Sequence, residues 1–210
     1  MYIKLLSVLG MASIILFTSC SEPEPTQTPP PVVYKKDTAT IQQQAVKPQA
    51  PVINIVDTIR PAAIVLVMKD SASSSETIGV KMHAIYSEVL MKIIKDKKLT
   101  ISGPRMAWYK TSSPPFFFEA GYPVDKKPAG KLPKNCFIKE LKTDSALVAH
   151  YYGPYDLTYQ AYEALKEWMS DYKKKSSGAP YEVYIGSMYD DKGKPVNPYR
   201  VQTDIIFPHK

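Results

Sequence analysis

From residue 60 onward the same order of elements occurs twice, and few folds accommodate that. The run Ala62-Ala63-Ile64-Val65-Leu66-Val67-Met68 is β-branched and long enough for a buried strand. In Ser73-Ser74-Ser75-Glu76 a serine precedes a glutamate by three, a capping-box pattern. Ile78, Met82, Ile85, Tyr86, Val89 and Ile93 follow at helical spacing, and the lysines of 95–98 end the helix. Strands are expected over 105–110 and 116–124, joined through Ser113-Pro114-Pro115. Residues 125–133 form a lysine- and proline-rich connector. The second half then predicts a strand over 137–152, bent near Asp144-Ser145, and a helix whose face is Leu157, Ala161, Leu165, Trp168 and Tyr172. Strands over 181–187 and 199–207 complete it, separated by a turn at 190–195.

The halves overlay when Ile101-Ser102-Gly103-Pro104 is set on Ser177-Gly178-Ala179-Pro180, and Glu119-Ala120-Gly121-Tyr122-Pro123 on Asp204-Ile205-Ile206-Phe207-Pro208. This register puts Met106 in the place of Glu182. The expected fold is α+β: duplicated βαββ modules forming one antiparallel sheet with two helices and a central cleft between them.

The N-terminal quarter has a different character. Residues 1–19 have one early charge, Lys4, and an apolar core over 8–17 that is too short for a stable membrane span, so they read as a signal peptide. Cys20 follows Leu16-Phe17-Thr18-Ser19, small residues before a cysteine as in a bacterial lipobox, although Phe17 stands where that pattern prefers leucine. Acylation of Cys20 is the expectation, which places the protein in the bacterial cell envelope on a lipid anchor. Residues 20–58 are rich in Pro, Thr and Gln and cannot bury enough surface to offset ordering, so they are expected to be a disordered tether; part of 52–56 could add an edge strand. The folded domain is expected over 59–210. Cys136 is the only other cysteine, so a lipidated Cys20 leaves no intramolecular disulfide.

The formal charge is +7, but the lysines come in small groups at helix ends and turns rather than along one stripe. No nucleic-acid partner is expected. His83, His150 and His209 are scattered without cysteine neighbours, so neither a metal site nor a cofactor is expected.

Chemistry enters through Glu182, a single carboxylate in the strand-like Tyr181-Glu182-Val183-Tyr184-Ile185. A buried acid is costly unless something compensates it. A lipophilic cation could, through its charge and through the faces of surrounding rings. Glu182 is expected at the floor of a pocket, with Tyr151, Tyr184, Tyr199, Trp108 and Phe118 as wall candidates. The competing reading puts the glutamate in solvent and the tyrosines in ordinary strand positions.

Several motifs resemble the GyrI-like family, the effector-binding domain of AraC-type and multidrug-responsive activators. They are Tyr152-Gly153-Pro154-Tyr155 ahead of Ala161-Tyr162 and Leu165, Pro180-Tyr181-Glu182, Tyr199-Arg200-Val201 with Thr203-Asp204, and Phe118-Glu119-Ala120-Gly121-Tyr122-Pro123-Val124. The resemblance spans roughly residues 60–208, one ordinary domain. It implies a duplicated βαββ fold, related to SOUL proteins, whose cleft takes small hydrophobic or cationic ligands against a carboxylate at Glu182 and an aromatic at Tyr199. No helix-turn-helix precedes the matching region, so only the binding module is carried over, and binding ranks above catalysis. The alternatives are a small-molecule hydrolase in which Glu182 works with Tyr151 or Tyr199, a protein-interaction module like the gyrase inhibitors, and haem binding, for which no histidine is well placed.

The anchor predicts that mass spectrometry finds acylated Cys20 at the mature N-terminus. An unmodified Cys20 inside an uncleaved chain contradicts it.

Overall fold

A computed structural model of the chain describes residues 49–187, 190, 192 and 194–210. The expected signal peptide, Cys20 and most of the tether lie outside the described residues. One antiparallel sheet of eight strands organises the rest, in the order β1-β6-β8-β7-β3-β4-β2-β5. The strands are β1 (Val52–Arg60), β2 (Ala63–Ala72), β3 (Arg105–Tyr109), β4 (Phe116–Val124), β5 (Cys136–Leu141), β6 (Asp144–Tyr152), β7 (Tyr181–Tyr184) and β8 (Gln202–His209). Between β2 and β3, α1 (Ser75–Ala84) continues through a π-helical turn (Ile85–Leu90) into α2 (Met91–Asp96). Between β6 and β7 lies α3 (Tyr159–Asp171), entered through a short 3-10 turn (Tyr155–Leu157). No helix among the described residues is long and apolar enough to cross a membrane.

Strand alternation divides the core. Leu66, Ala107, Phe118, Ala120 and Tyr184 pack with Met82, Ile85, Leu90 and Ile94 of the first helical stretch. Leu147, Ala149, Tyr151, Ile205 and Phe207 pack with Ala161 and Leu165 of α3. Both helical stretches therefore cover one face. The alternate residues, among them Val65, Val67, Met106, Trp108, Val148, Val183 and Ile206, build a separate core on the other face. Val56 of β1 and Phe137 and Leu141 of β5 pack into it as well.

The duplication is visible in the register. β3 and β7 meet at the middle of the sheet, with Ala107 opposite Glu182. Turning the halves about that pair sets Gly103 on Gly178, Tyr109 on Tyr184, Glu119 on Asp204 and Pro123 on Pro208. The Ser102 and Ser177 amides then make the same bond, to the carbonyls of Pro123 (2.9 Å) and Pro208 (3.0 Å). The helix ends match too. Lys98 (φ 53°) and Lys173 (φ 51°) occupy the left-handed position after the helix, and the next amides, Leu99 and Lys174, reach back to the carbonyls of Ile94 and Met169.

Four expectations need correction. The counterpart of Glu182 is Ala107, not Met106, which faces the other side of the sheet; a slip of one residue inverts the face. The edge strand allowed for within 52–56 forms as β1 and runs on to Arg60, so 52–58 belong to the domain rather than the tether, with Ile53 and Ile55 packed into the core beneath α3. The bent strand over 137–152 is two strands, and they separate widely: β5 pairs with β2, and β6 with β1 and β8. Each half thus lends its leading strand to the other, β1 to β6 and β5 to β2. The capping box is closed by Ser74 and Thr77, one position after the serine of the Ser73/Glu76 pattern. The Ser74 hydroxyl accepts from the Thr77 amide (3.4 Å), while the Ser74 amide donates to the Thr77 hydroxyl (3.2 Å).

Candidate functional site

Glu182 sits on the pseudo-twofold axis, on the helix-bearing face, and is 5% exposed. Its mate Ala107 is fully buried and contributes only a methyl group, so the centre of the sheet holds one carboxylate and not two. Burial raises the Glu182 pKa, and two hydrogen bonds oppose that rise. Tyr184 donates to one carboxylate oxygen at 2.9 Å and Tyr162, from α3, to the other at 3.0 Å. Among the described residues no lysine, arginine or histidine forms an ion pair with it.

More tyrosines surround this pair. The Tyr109 and Tyr184 hydroxyls, equivalent in the two halves, meet across the axis at 3.0 Å. Tyr155, on the turn before α3, stands edge-on to Tyr184 with ring centres 5.9 Å apart. Tyr86, in the π-helical turn, donates to the Met106 carbonyl at 2.7 Å. Arg105 lies 5.5 Å over the Tyr86 ring, and its guanidinium reaches the Gly186 carbonyl at 3.4 Å. Desolvation and the proximity of Glu182 push the Tyr109, Tyr162 and Tyr184 phenols well above their ordinary pKa, so they stay protonated donors. The arrangement is a buried carboxyl group satisfied by neutral donors and walled by aromatic rings.

Of the expected wall residues, Tyr184 touches Glu182. Phe118 is buried behind Tyr109, ring centres 6.4 Å apart, and backs the site rather than lining it. Trp108 is on the opposite face, 5.3 Å from Tyr181, because it alternates with Ala107; it is no part of this wall. Tyr151 is buried beneath α3 with its hydroxyl given to the Pro154 carbonyl at 2.6 Å, and burial pushes its phenol up to about 12. Tyr199 lies on a 3-10 turn (Pro198–Arg200) and donates to the Gln49 carbonyl at 2.6 Å. The hydroxyls paired with Glu182 are therefore those of Tyr162 and Tyr184, not Tyr151 or Tyr199. Tyr109, Tyr155, Tyr162 and Tyr86 were not among the sequence candidates. Tyr109 was within reach, two residues beyond the counterpart of Glu182 on the same strand. The other three come from helices and turns, whose approach no local pattern encodes.

No three side chains among the described residues are grouped to hold a metal ion. The same α+β fold occurs in solved structures. The EcmrR C-terminal domain aligns with 76% of this chain and 98% of its own, with 20% identity and a TM-score of 0.61. EcmrR in a DNA complex, seen by cryo-EM, aligns with 75% of this chain at 19% identity and a TM-score of 0.63, and this chain spans 57% of its length. A structure of SAV2435 bound to tetraphenylphosphonium aligns at 11% identity and a TM-score of 0.46, covering 75% of this chain and 94% of that one, too distant to carry an argument about the site. No protein-family model and no curated protein matches the chain.

The raised pKa of Glu182 fixes the sign of a pH effect. Burial favours the neutral acid, so its contribution to stability is present below the ordinary carboxylate range and is lost as pH climbs through the raised value. Glu182→Gln keeps a neutral group of the same shape. Denaturant unfolding of both chains over a pH series should show the variant gaining on the native chain as pH rises and levelling off above the titration. A constant difference contradicts the burial of a titrating group here.

Proposed function

We propose that this domain binds a lipophilic organic cation, with Glu182 supplying the charge and the surrounding tyrosines the walls. The observation that carries the proposal is a carboxylate at 5% exposure with hydrogen bonds but, among the described residues, no cationic partner. Two phenols satisfy its oxygens without neutralising it. A cation whose charge is spread over an apolar body loses little hydration on entering such a site, and ring faces attract it further. In this geometry the rings cover the carboxylate, so access requires Tyr155 and Tyr162 to turn outward. Tyr155 is 43% exposed and rides on a short 3-10 turn rather than in the helix. In this reading a signal peptide directs export, and acylated Cys20 with the tether that follows it holds the domain at the cell envelope.

Calorimetric titration with tetraphenylphosphonium, using tetraphenylborate as a control of the same shape and opposite charge, tests this directly. The cation should bind more tightly as pH rises through the Glu182 titration, because only the ionised form attracts it. Glu182→Gln should weaken binding about tenfold or more, about 1.4 kcal/mol, and should flatten the pH dependence. Equal affinity of native chain and variant removes the carboxylate from the account.

A further inference from the structure

The other face of the sheet carries a second arrangement, and the duplication supplies its internal control. In the second half His150, Asp204, Gln202 and Tyr152 close on one another. His150 Nδ1 lies 2.7 Å from Asp204, Gln202 donates to the same carboxylate oxygen at 2.7 Å, and Tyr152 donates to Gln202 at 2.7 Å. The polar groups of that corner bond to one another. About the Ala107–Glu182 pair, the equivalent positions in the first half are Lys69, Glu119, Phe117 and Ser71. A serine thus stands where the second half has a tyrosine, and a cavity of ≈350 Å³ opens there, bordered by Lys69, Ser71, Lys110, Phe117, Glu119 and Asn135. Lys110 takes the place of Ile185.

Charge distinguishes the two corners as well. Glu119 accepts from Lys110 at 3.0 Å and is in direct contact with Lys139, whose ammonium also lies 4.0 Å from the centre of the Trp108 ring. One carboxylate therefore serves two ammonium groups. Lys69 adds a third and has no ion-pair partner among the described residues. Asp70 also borders the cavity, but it is engaged by Lys81 at 3.2 Å and by the Ser71 amide at 2.7 Å. The corner keeps surplus positive charge around its cavity, where its twin has a tyrosine.

We propose that this cavity is a binding site for a phosphate monoester, its dianion held by Lys69 and Lys110 and its organic substituent against Phe117. A dianion matches the surplus left after Glu119 has taken its share, and ammonium groups bind phosphate as point charges. Phe117 is 49% exposed and offers a ring face at the rim. The site lies on the opposite face from Glu182 and takes the opposite charge.

Calorimetry of the full chain with inorganic phosphate, phenyl phosphate and a short-chain phosphatidic acid tests the proposal. Phenyl phosphate should bind more tightly than inorganic phosphate. A free ester as the natural ligand is indicated if phenyl phosphate also exceeds the lipid, and a lipid headgroup if the order reverses. Lys69→Gln should weaken binding at least fivefold. Ser71→Tyr, which copies Tyr152 of the twin corner, should abolish it with the fold intact by circular dichroism. Glu119→Gln should tighten it severalfold, because two ammonium groups are released to the ligand. Lys166→Gln, on the exposed side of α3, should change nothing. No heat from any probe, weaker binding by Glu119→Gln, or equal losses in Lys69→Gln and Lys166→Gln each overturn the site.

Discussion

A carboxylate held on a pseudo-twofold axis is the constraint around which the helix-bearing face is arranged. Duplication alone would place like groups opposite each other, and two facing carboxylates could not both stay ionised. The chain avoids this with Ala107 opposite Glu182. The symmetry is kept where it helps: Tyr109 and Tyr184 meet as equivalent hydroxyls, and the Tyr184 hydroxyl also reaches Glu182. It is broken where a single charge is needed.

The architecture explains how the two helical stretches come to flank one site on the sheet. The sheet is continuous through the β3–β7 pair, so the axis lies on strand backbone and not in a loop. Exchange of the leading strands makes the halves interdependent: β1 extends the second half and β5 the first. The π-helical turn belongs to the first half only. Counted back from the left-handed lysines, its extra residue brings Tyr86 to the position that Tyr162 holds on α3. The two tyrosines approach the axis from either side, yet only Tyr162 donates to the carboxylate.

Much of this was legible in the chain itself. The β-branched and alternating runs revealed the strands, the 3.6-residue spacing the helices, and the repeated order the duplication. Glu182 stood out because its strand, Tyr181 to Tyr184, is apolar on both faces apart from it. Three things were not legible. The pairing partners of β1 and β5 are long-range choices that no local pattern records. Setting Pro104 on Pro180 shifts the register between halves by one residue, and one residue exchanges the faces, which is why Met106 and Trp108 were expected beside Glu182 and Tyr109 was not. The tyrosines that reach the carboxylate from α3 and its entry turn depend on how helices settle on the sheet. The EcmrR C-terminal domain has a similar fold at 20% identity.

The two faces have opposite characters. The helix-bearing side buries a negative group among rings, while the far side gathers lysines about Glu119. Both features depend on local departures from internal symmetry, at Ala107 on one face and at Ser71 and Lys110 on the other. The proposal made for the first is that Glu182, a buried acid, takes a cation. Carbon-13 NMR of the Glu182 side-chain carboxyl, followed through a pH titration with and without saturating tetraphenylphosphonium, measures this directly. The account predicts a pKa above the ordinary glutamate range in the free chain and a fall when the cation is bound. An ordinary pKa in the free chain, or one that the cation leaves unmoved, contradicts it.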